Sequence, residues 1–329
     1  MSNKIKFLFL IFLLIFLIIL SLGLGSVVIP MDKWPSVFLN SEVASVYNSL
    51  IWDYRLPKTL SLILTGIALG ISGLLMQTLF RNPIVGPYIL GLSSGAGLMV
   101  GLVVLGGSLA GRQLGEISLS MAAAIGSILT LLLILSFYYK LRNVVSLLII
   151  GLMLGIFSGA LVQILSFFSS SEDLQKFVFW SMGNPGNLSL YEVFFFFLVV
   201  FLFSLSSFFL IRSLNALLLG EQYAISLGFS LKKTHLHIIL ISGVLTGTVT
   251  ALVGPIAFVG LMVPHIARKI FHTQLHQVLI PGVILVGASL LLFCDLIARL
   301  PGSSLTLPLN GVTALFGAPL VIYMIYKRS

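Results

Sequence analysis

Charge is what this sequence has least of. Of its 329 residues only 8% are Asp, Glu, Lys or Arg, against about 25% in an ordinary soluble domain. So few charges cannot clothe a soluble globule of this length. Meanwhile 58% of the chain is hydrophobic, including the run Phe194-Phe195-Phe196-Phe197. A soluble enzyme is excluded, and so is a disordered chain. Cysteine is nearly missing too. The lone Cys294 can form neither an intrachain disulfide nor a Cys-x-x-Cys metal or redox site, and it reads as a small buried apolar side chain.

Several motifs are also missing. No Gly-Lys dipeptide occurs, so there is no Walker A loop to hold a nucleotide. No His-Glu-x-x-His occurs, and His235, His237, His265, His272 and His276 fall mostly near the ends of apolar runs. His272 and His276 stand four apart, a spacing that could put them on one helix face, yet no acid or thiol accompanies them. Gly91-Leu92-Ser93-Ser94-Gly95 matches the nucleophile-elbow pattern. That elbow needs a strand before it and a helix after it, whereas this stretch sits in a glycine-spaced apolar run.

Ionisable residues in mid-span, the usual parts of proton- or sodium-driven carriers, are not found either. Asp295 comes nearest, close to the end of its run and four residues before Arg299, which reads as a local ion pair. The runs carry neutral polar groups instead: Gln77, Gln163, Ser158, Thr246 and Thr248. A transporter of this kind draws its energy from another polypeptide.

What the sequence does hold is a series of apolar runs. About 20 apolar residues cross ~30 Å of hydrocarbon. That ruler places spans near 7–29, 57–80, 88–107, 117–139, 144–168, 191–211, 234–253, 256–268, 278–297 and 309–326. The first follows Lys4 and Lys6 but exceeds the ~7–15 apolar residues of a signal peptide, so it reads as a retained helix. The eighth is too short to cross alone and demands a broken helix shielded by protein. The expected fold class is an all-α polytopic membrane protein of about ten transmembrane helices, a single transmembrane domain over 1–329.

Lysine and arginine orient it. With ten spans and the N-terminus inside, Lys4, Lys6, Arg81, Lys140, Arg142, Arg212, Lys232, Lys233, Arg268, Lys269, Lys327 and Arg328 fall on the inner side. Lys33, Arg55, Lys58, Arg112, Lys176 and Arg299 fall outside, and among the acids only Glu221 falls inside. Both termini are therefore expected in the cytoplasm. The net charge of +9 is scattered between apolar runs, which suits lipid topology rather than nucleic-acid binding. Small residues recur four apart at Gly66/Gly70, Gly91/Gly95, Gly97/Gly101, Gly151/Gly155/Gly159 and Gly243/Gly247, the spacing that lets helices approach closely in lipid.

Five stretches carry a resemblance. Arg55-Leu56-Pro57-Lys58 leads to Gly66-Ile67-Ala68-Leu69-Gly70-Ile71-Ser72-Gly73, Gln77 and Arg81-Asn82-Pro83. Leu90 to Ala96 follows. Leu219-Gly220-Glu221 with Ala224 and Leu227-Gly228 fills an inner loop. Gly254-Pro255-Ile256-Ala257-Phe258-Val259-Gly260-Leu261 precedes Pro264-His265-Ile266-Ala267-Arg268. Asp295 to Arg299 then runs on to Leu307-Pro308, Gly311, Thr313 and Gly317-Ala318-Pro319. From about residue 52 onward the chain resembles the FecCD-type permeases, subunits of ABC importers for iron–siderophores, haem and cobalamin.

The resemblance implies a non-enzymatic, ten-helix subunit of the bacterial cytoplasmic (inner) membrane. It implies a second permease copy, homomeric or sibling, around a central path. Two cytoplasmic ABC ATPase subunits and a periplasmic or surface-anchored substrate-binding protein complete the importer. The substrate expected is an iron chelate, with a corrinoid as the alternative; no cofactor, metal site or catalytic residue is expected. Arg55, Lys58 and Arg299 are carried over as docking sites for acidic residues of the binding protein, Lys58 keeping the charge but losing the two-pronged geometry of arginine.

Within the cytoplasmic segment 219–228, Gly220, Glu221, Ala224, Leu227 and Gly228 are carried over as the coupling contact with the ATPase. Gln77, Asn82 and Asn143 are carried over as pathway or gate residues. Asn143-Val144-Val145 is poorer in hydroxyls than a cobalamin transporter is expected to be. Two readings outside the resemblance are an ATPase-independent secondary carrier and a membrane enzyme acting through Ser93.

Overall fold

The computed structural model describes residues 2–25, 45–109, 116–141, 143–186, 188–299 and 306–326, and among these there is no strand. Ten apolar helices carry the fold. They are α1 (Asn3–Gly23), α2 (Leu56–Leu79), α3 (Leu92–Leu109), α4 (Glu116–Leu141) and α5 (Val144–Phe168). α6 (Leu190–Phe209), α7 (Leu231–Leu252), α8 (Val259–Phe271), α9 (His276–Ala298) and α10 (Leu309–Tyr326) follow. Seven stretches are long and apolar enough to cross a membrane, α3 and α10 are shorter apolar helices, and α8 has only 13 residues. Lys33, Arg112, Arg142, Lys327 and Arg328 lie outside the described residues.

α2 is the hub. Its apolar window is 83% buried, against 17% for α5, so α2 is walled by protein while α5 faces outward. Hydrophobic sequence alone cannot choose between these, because lipid and protein interior are equally apolar. Glycine decides where α2 meets its neighbours. A Cβ on Gly66 would collide with the backbone carbonyl of Gly287 in α9, and one on Gly73 with that of Gly260 in α8. Hydroxyls add polar ties across the dry interior: Ser72 reaches Thr246 at 2.8 Å and donates to the Ser242 carbonyl at 3.1 Å, joining α2 to α7.

One expectation is corrected, and two open patterns are decided. The first run was placed at 7–29, yet α1 spans Asn3–Gly23. Apolarity locates the hydrocarbon-facing part of a helix, not its caps, and Lys4 and Lys6 are accommodated in its exposed first turn. His272 and His276 do not share a helix face. His272 is the left-handed cap that ends α8 (φ 54°), and His276 opens α9. Ser93 follows a 3₁₀ turn at Pro87–Leu90 rather than a strand.

The eighth run is a broken helix. At 1.5 Å per residue, α8 is about 20 Å long, too short for ~30 Å of hydrocarbon. It is preceded by an extended strap through Gly254 (φ 90°) to Phe258 (φ 66°). Irregular backbone at membrane depth must find partners within the protein, and it does. Ile256 donates its N–H to the Tyr88 hydroxyl at 3.1 Å, and Ala257 donates to Asn310 Oδ1 at 3.0 Å. The left-handed Phe258 costs roughly 1–2 kcal/mol and is held by its ring against α10, where any side chain at Gly317 would strike it.

Helix ends sort into two sets. Phe7 meets Phe271 at 4.5 Å, Tyr138 meets His235 at 6.1 Å, and Lys269 lies 4.7 Å from the Tyr323 ring. These contacts gather the start of α1 and α7 with the ends of α4, α8 and α10. The end of α1, the start of α2 and the end of α9 meet at the opposite pole through Arg55 and Arg299. That is the alternation ten crossings require.

Candidate functional site

At the pole of the external basic residues, four ionisable side chains converge. Asp295 is 2% exposed and bridges two cations: Lys58 Nζ at 2.9 Å from Oδ1, and Arg299 through Oδ2. The local ion pair expected of Asp295 and Arg299 is present, with Lys58 added from α2. Arg55 is held in a one-turn π-helix, Leu50–Arg55, that feeds directly into α2.

Both arginines turn toward α1. Arg55 Nη1 donates to the carbonyls of Leu22 (2.6 Å) and Gly23 (3.0 Å). Arg299 Nη1 donates to Ser21 (2.8 Å) and Leu24 (3.3 Å), and its Nη2 to the Ser21 hydroxyl (3.2 Å). A helix ends with four carbonyls that have no intrahelical partner, and cations there also meet the negative end of the helix dipole. The two guanidiniums take all four. Gly25 leaves the necessary room, since a Cβ there would lie 2.9 Å from Arg55 Nη2.

Arg55 and Arg299 are accordingly 6% and 8% exposed, and Lys58 is the most open of the three, its side chain 25% exposed. The structure thus brings the three residues together, and places two of them on the end of α1. Ser21 and the α1 terminus escaped the sequence reading, because no local pattern reports which distant helix end an arginine will cap.

At the opposite pole, the segment after α6 forms two short helices, Ile211–Leu219 and Glu221–Ser226. Gly220 breaks them with φ 125° and ψ 152°, a conformation that side chains disfavour strongly. Gly228 (φ 85°) closes the second. Ala224 is fully buried and anchors the segment, while Glu221 and Leu227 are exposed. Beside them Leu218, Leu219, Tyr223 and Ile225 are also exposed. Of this apolar patch the sequence reading names only Leu227 as a coupling contact; the signal available for the rest was apolar residues in a segment too short to span.

The residues expected at a gate are dispersed. Gln77 is 3% exposed and clamps α8, its Oε1 accepting from Arg268 Nη1 at 2.5 Å and its Nε2 donating to the Leu261 carbonyl at 3.3 Å. Asn82 is exposed and shapes the turn after α2: its Oδ1 accepts from the Ile84 N–H at 3.0 Å. Asn143 is exposed and caps α5, accepting from the N–H groups of Val145 and Ser146 at 2.9 and 3.2 Å. Among the described residues no group of three or more His, Cys, Asp or Glu is arranged to hold a metal.

Comparison with known proteins gives a consistent answer. The model of the FecCD transport family matches residues 13–327. The vitamin B12 import system permease protein BtuC of Salmonella paratyphi A is 38% identical over 283 residues, covering 85% of this chain and 84% of that one. BtuC of Klebsiella pneumoniae is 36% identical over 319 residues, covering 96% and 91%. A solved structure described as an inward-facing conformation of a candidate metal-chelate type ABC transporter superposes with a TM-score of 0.86 at 32% identity, covering 99% of this chain and all of that one. With a family match over residues 13–327 and relatives aligned over most of their length, this multi-pass membrane protein belongs to the FecCD transport family.

Proposed function

We propose that the chain is the permease subunit of an ATP-driven importer that moves a large metal chelate inward by alternating access. Two ATPase subunits would hydrolyse ATP on separate chains, a binding protein would deliver the substrate outside, and a second permease copy would complete the path. The observation that carries this is the apolar patch Leu218, Leu219, Tyr223, Ile225 and Leu227 on the segment between α6 and α7. It projects from a segment too short to span, beside basic helix ends of the cytoplasmic set, where exposed apolar surface marks a protein partner. The absence of mid-span ionisable groups among the described helices agrees with an external energy source.

The patch makes a direct test. Leu219→Asp with Ile225→Asp, co-expressed with the partner ATPase, is expected to abolish co-purification of the ATPase while the permease still accumulates in the membrane. Undiminished co-purification would overturn the coupling assignment. Transport by the purified chain alone in liposomes would instead establish a secondary carrier.

For docking, Lys58 is the best-placed of the three cations. Lys58→Glu is expected to weaken binding of the delivery protein, read by surface plasmon resonance on nanodiscs. Arg55→Glu with Arg299→Glu tests docking and the α1 cap together, so its melting temperature must be read alongside binding.

The substrate reading is an iron chelate. The likeness to a metal-chelate type transporter supports it, while the identity to vitamin B12 permeases favours cobalamin as the second reading. Titrating the partner binding protein with a ferric hydroxamate, haem and cyanocobalamin, followed by intrinsic fluorescence, decides between them.

A further inference from the structure

The inner ends of α2, α8 and α9 meet the coupling segment at one buried side chain. His276, the first residue of α9, is 1% exposed. Asn215, in the helix Ile211–Leu219, offers Oδ1 to two donors on it, the backbone N–H at 2.9 Å and Nδ1 at 2.9 Å. An amide oxygen only accepts, so Nδ1 carries the ring proton and Nε2 is left as an acceptor. The Thr78 hydroxyl lies 2.8 Å from Nε2 and 2.9 Å from the Leu74 carbonyl, so its single proton serves one or the other of these two acceptors. Thr78 sits at the end of α2, 4% exposed, and its neighbour Gln77 holds Arg268 and the Leu261 carbonyl of α8. Each side chain in this chain of contacts is fixed by the next.

Leu214, Ala216 and Leu217 of the same helix are buried apolar side chains, and the buried Ser213 hydroxyl donates to the Leu210 carbonyl of its own turn at 2.9 Å. Apolar contact is non-directional and lets a helix roll or slide on its support. A carbonyl oxygen gripping both the backbone and the ring of one residue does not. The His276 N–H is also one of the orphan donors at the start of α9, so breaking the bond leaves a buried donor unsatisfied on the bundle side.

We propose that Asn215 is a positioning residue that locks the coupling helix to the first turn of α9. Displacement of the segment is then delivered to α9 and, through His276 and Thr78, to α2, as one rigid body. The use of the lock in transport rests on the coupling reading above; the lock itself does not.

The test places spin labels at Ser226 and Gln277, both exposed, in the full chain in nanodiscs; the native Cys294 is buried. Their separation is measured by pulsed electron resonance in the chain alone, and in the ATPase complex without nucleotide and trapped with ATP and vanadate. The parent is expected to show one narrow distance that does not shift on trapping. Asn215→Leu is expected to lose the narrow peak in the chain alone and to shift on trapping, and His276→Phe to do the same. Asn215→Asp, which keeps the acceptor oxygen, is expected to restore the narrow peak, a rescue that mere helix packing would not give.

Asn215→Ser, too short to reach both donors, carries the same expectation as Asn215→Leu should the latter not fold. A narrow, unshifted distance in either variant, or a shift in the parent, overturns the lock. Failure of any ATPase to co-purify would sink the coupling reading instead, and the chain-alone arm would still decide the lock.

Discussion

Asp295 is one carboxylate serving two cations in a place with little water. Replacing it with alanine leaves Lys58 and Arg299 without a counter-charge, and breaking a buried pair in this way costs about 3–5 kcal/mol. Asp295→Ala is therefore expected to lower the melting temperature of the detergent-purified protein markedly. Lys58→Met, which removes the more open partner and leaves the Arg299 pair intact, is expected to cost less; equal losses would contradict this account of the cluster. Asn143 is a milder case. As an N-cap it contributes about 1 kcal/mol, so Asn143→Ala is expected to destabilise slightly and Asn143→Ser to be silent in a thermal melt. A fall in transport with Asn143→Ser, at unchanged stability, would show a gate role beyond the cap.

Among the elements, α8 and its strap depend on two side chains from elsewhere. Tyr88→Phe orphans the Ile256 N–H and Asn310→Leu orphans that of Ala257, each at about 1–3 kcal/mol. Because both bonds secure one short strap, the double variant is expected to lose less than the sum of the singles, measured as a double-mutant cycle on thermal stability. Strict additivity would mean the strap is held mainly by the Phe258 ring.

That α8 is broken was legible in the sequence, since too few apolar residues stand between Pro255 and Arg268 to cross a bilayer. That Tyr88 and Asn310 mend the break was not, for they lie 168 and 53 residues from their partners and neither forms part of a local pattern. The bounds of α5 and α10 were legible, since these helices coincide with the apolar runs 144–168 and 309–326. Those of α1 were not, because its end is set by Arg55 and Arg299.

Taken as a whole, the molecule has two poles with different chemistry. The external pole is ionic and ordered around Asp295; the internal pole is hydrogen-bonded through Asn215, His276, Thr78, Gln77 and Arg268 and bears the apolar patch. The topology could be read from composition alone, because lipid forces apolar runs and membrane insertion sorts Lys and Arg. The identity of the hub could not, since α2 and α5 both qualify as apolar spans and neither run names the helices that pack around it. The glycines at 66 and 73, paired with Gly287 and Gly260 rather than with sequence neighbours, are what place α2 at the centre.

The cap on α1 also sets an order of assembly. Arg55 emerges from the ribosome soon after the helix it caps, but Arg299 is 278 residues from Ser21. At translation rates of about 5–20 residues per second, the first helix waits roughly 15–60 s for half of its terminal partners. Through that interval Arg299's two carbonyls are open to water, lipid headgroups or the insertion machinery. A nascent chain arrested before α9 should therefore leave the outer end of α1 accessible to protease, and one arrested after Arg299 has entered the membrane should protect it. Helix α1 is made well before α9 and stays half-fastened until Arg299 arrives.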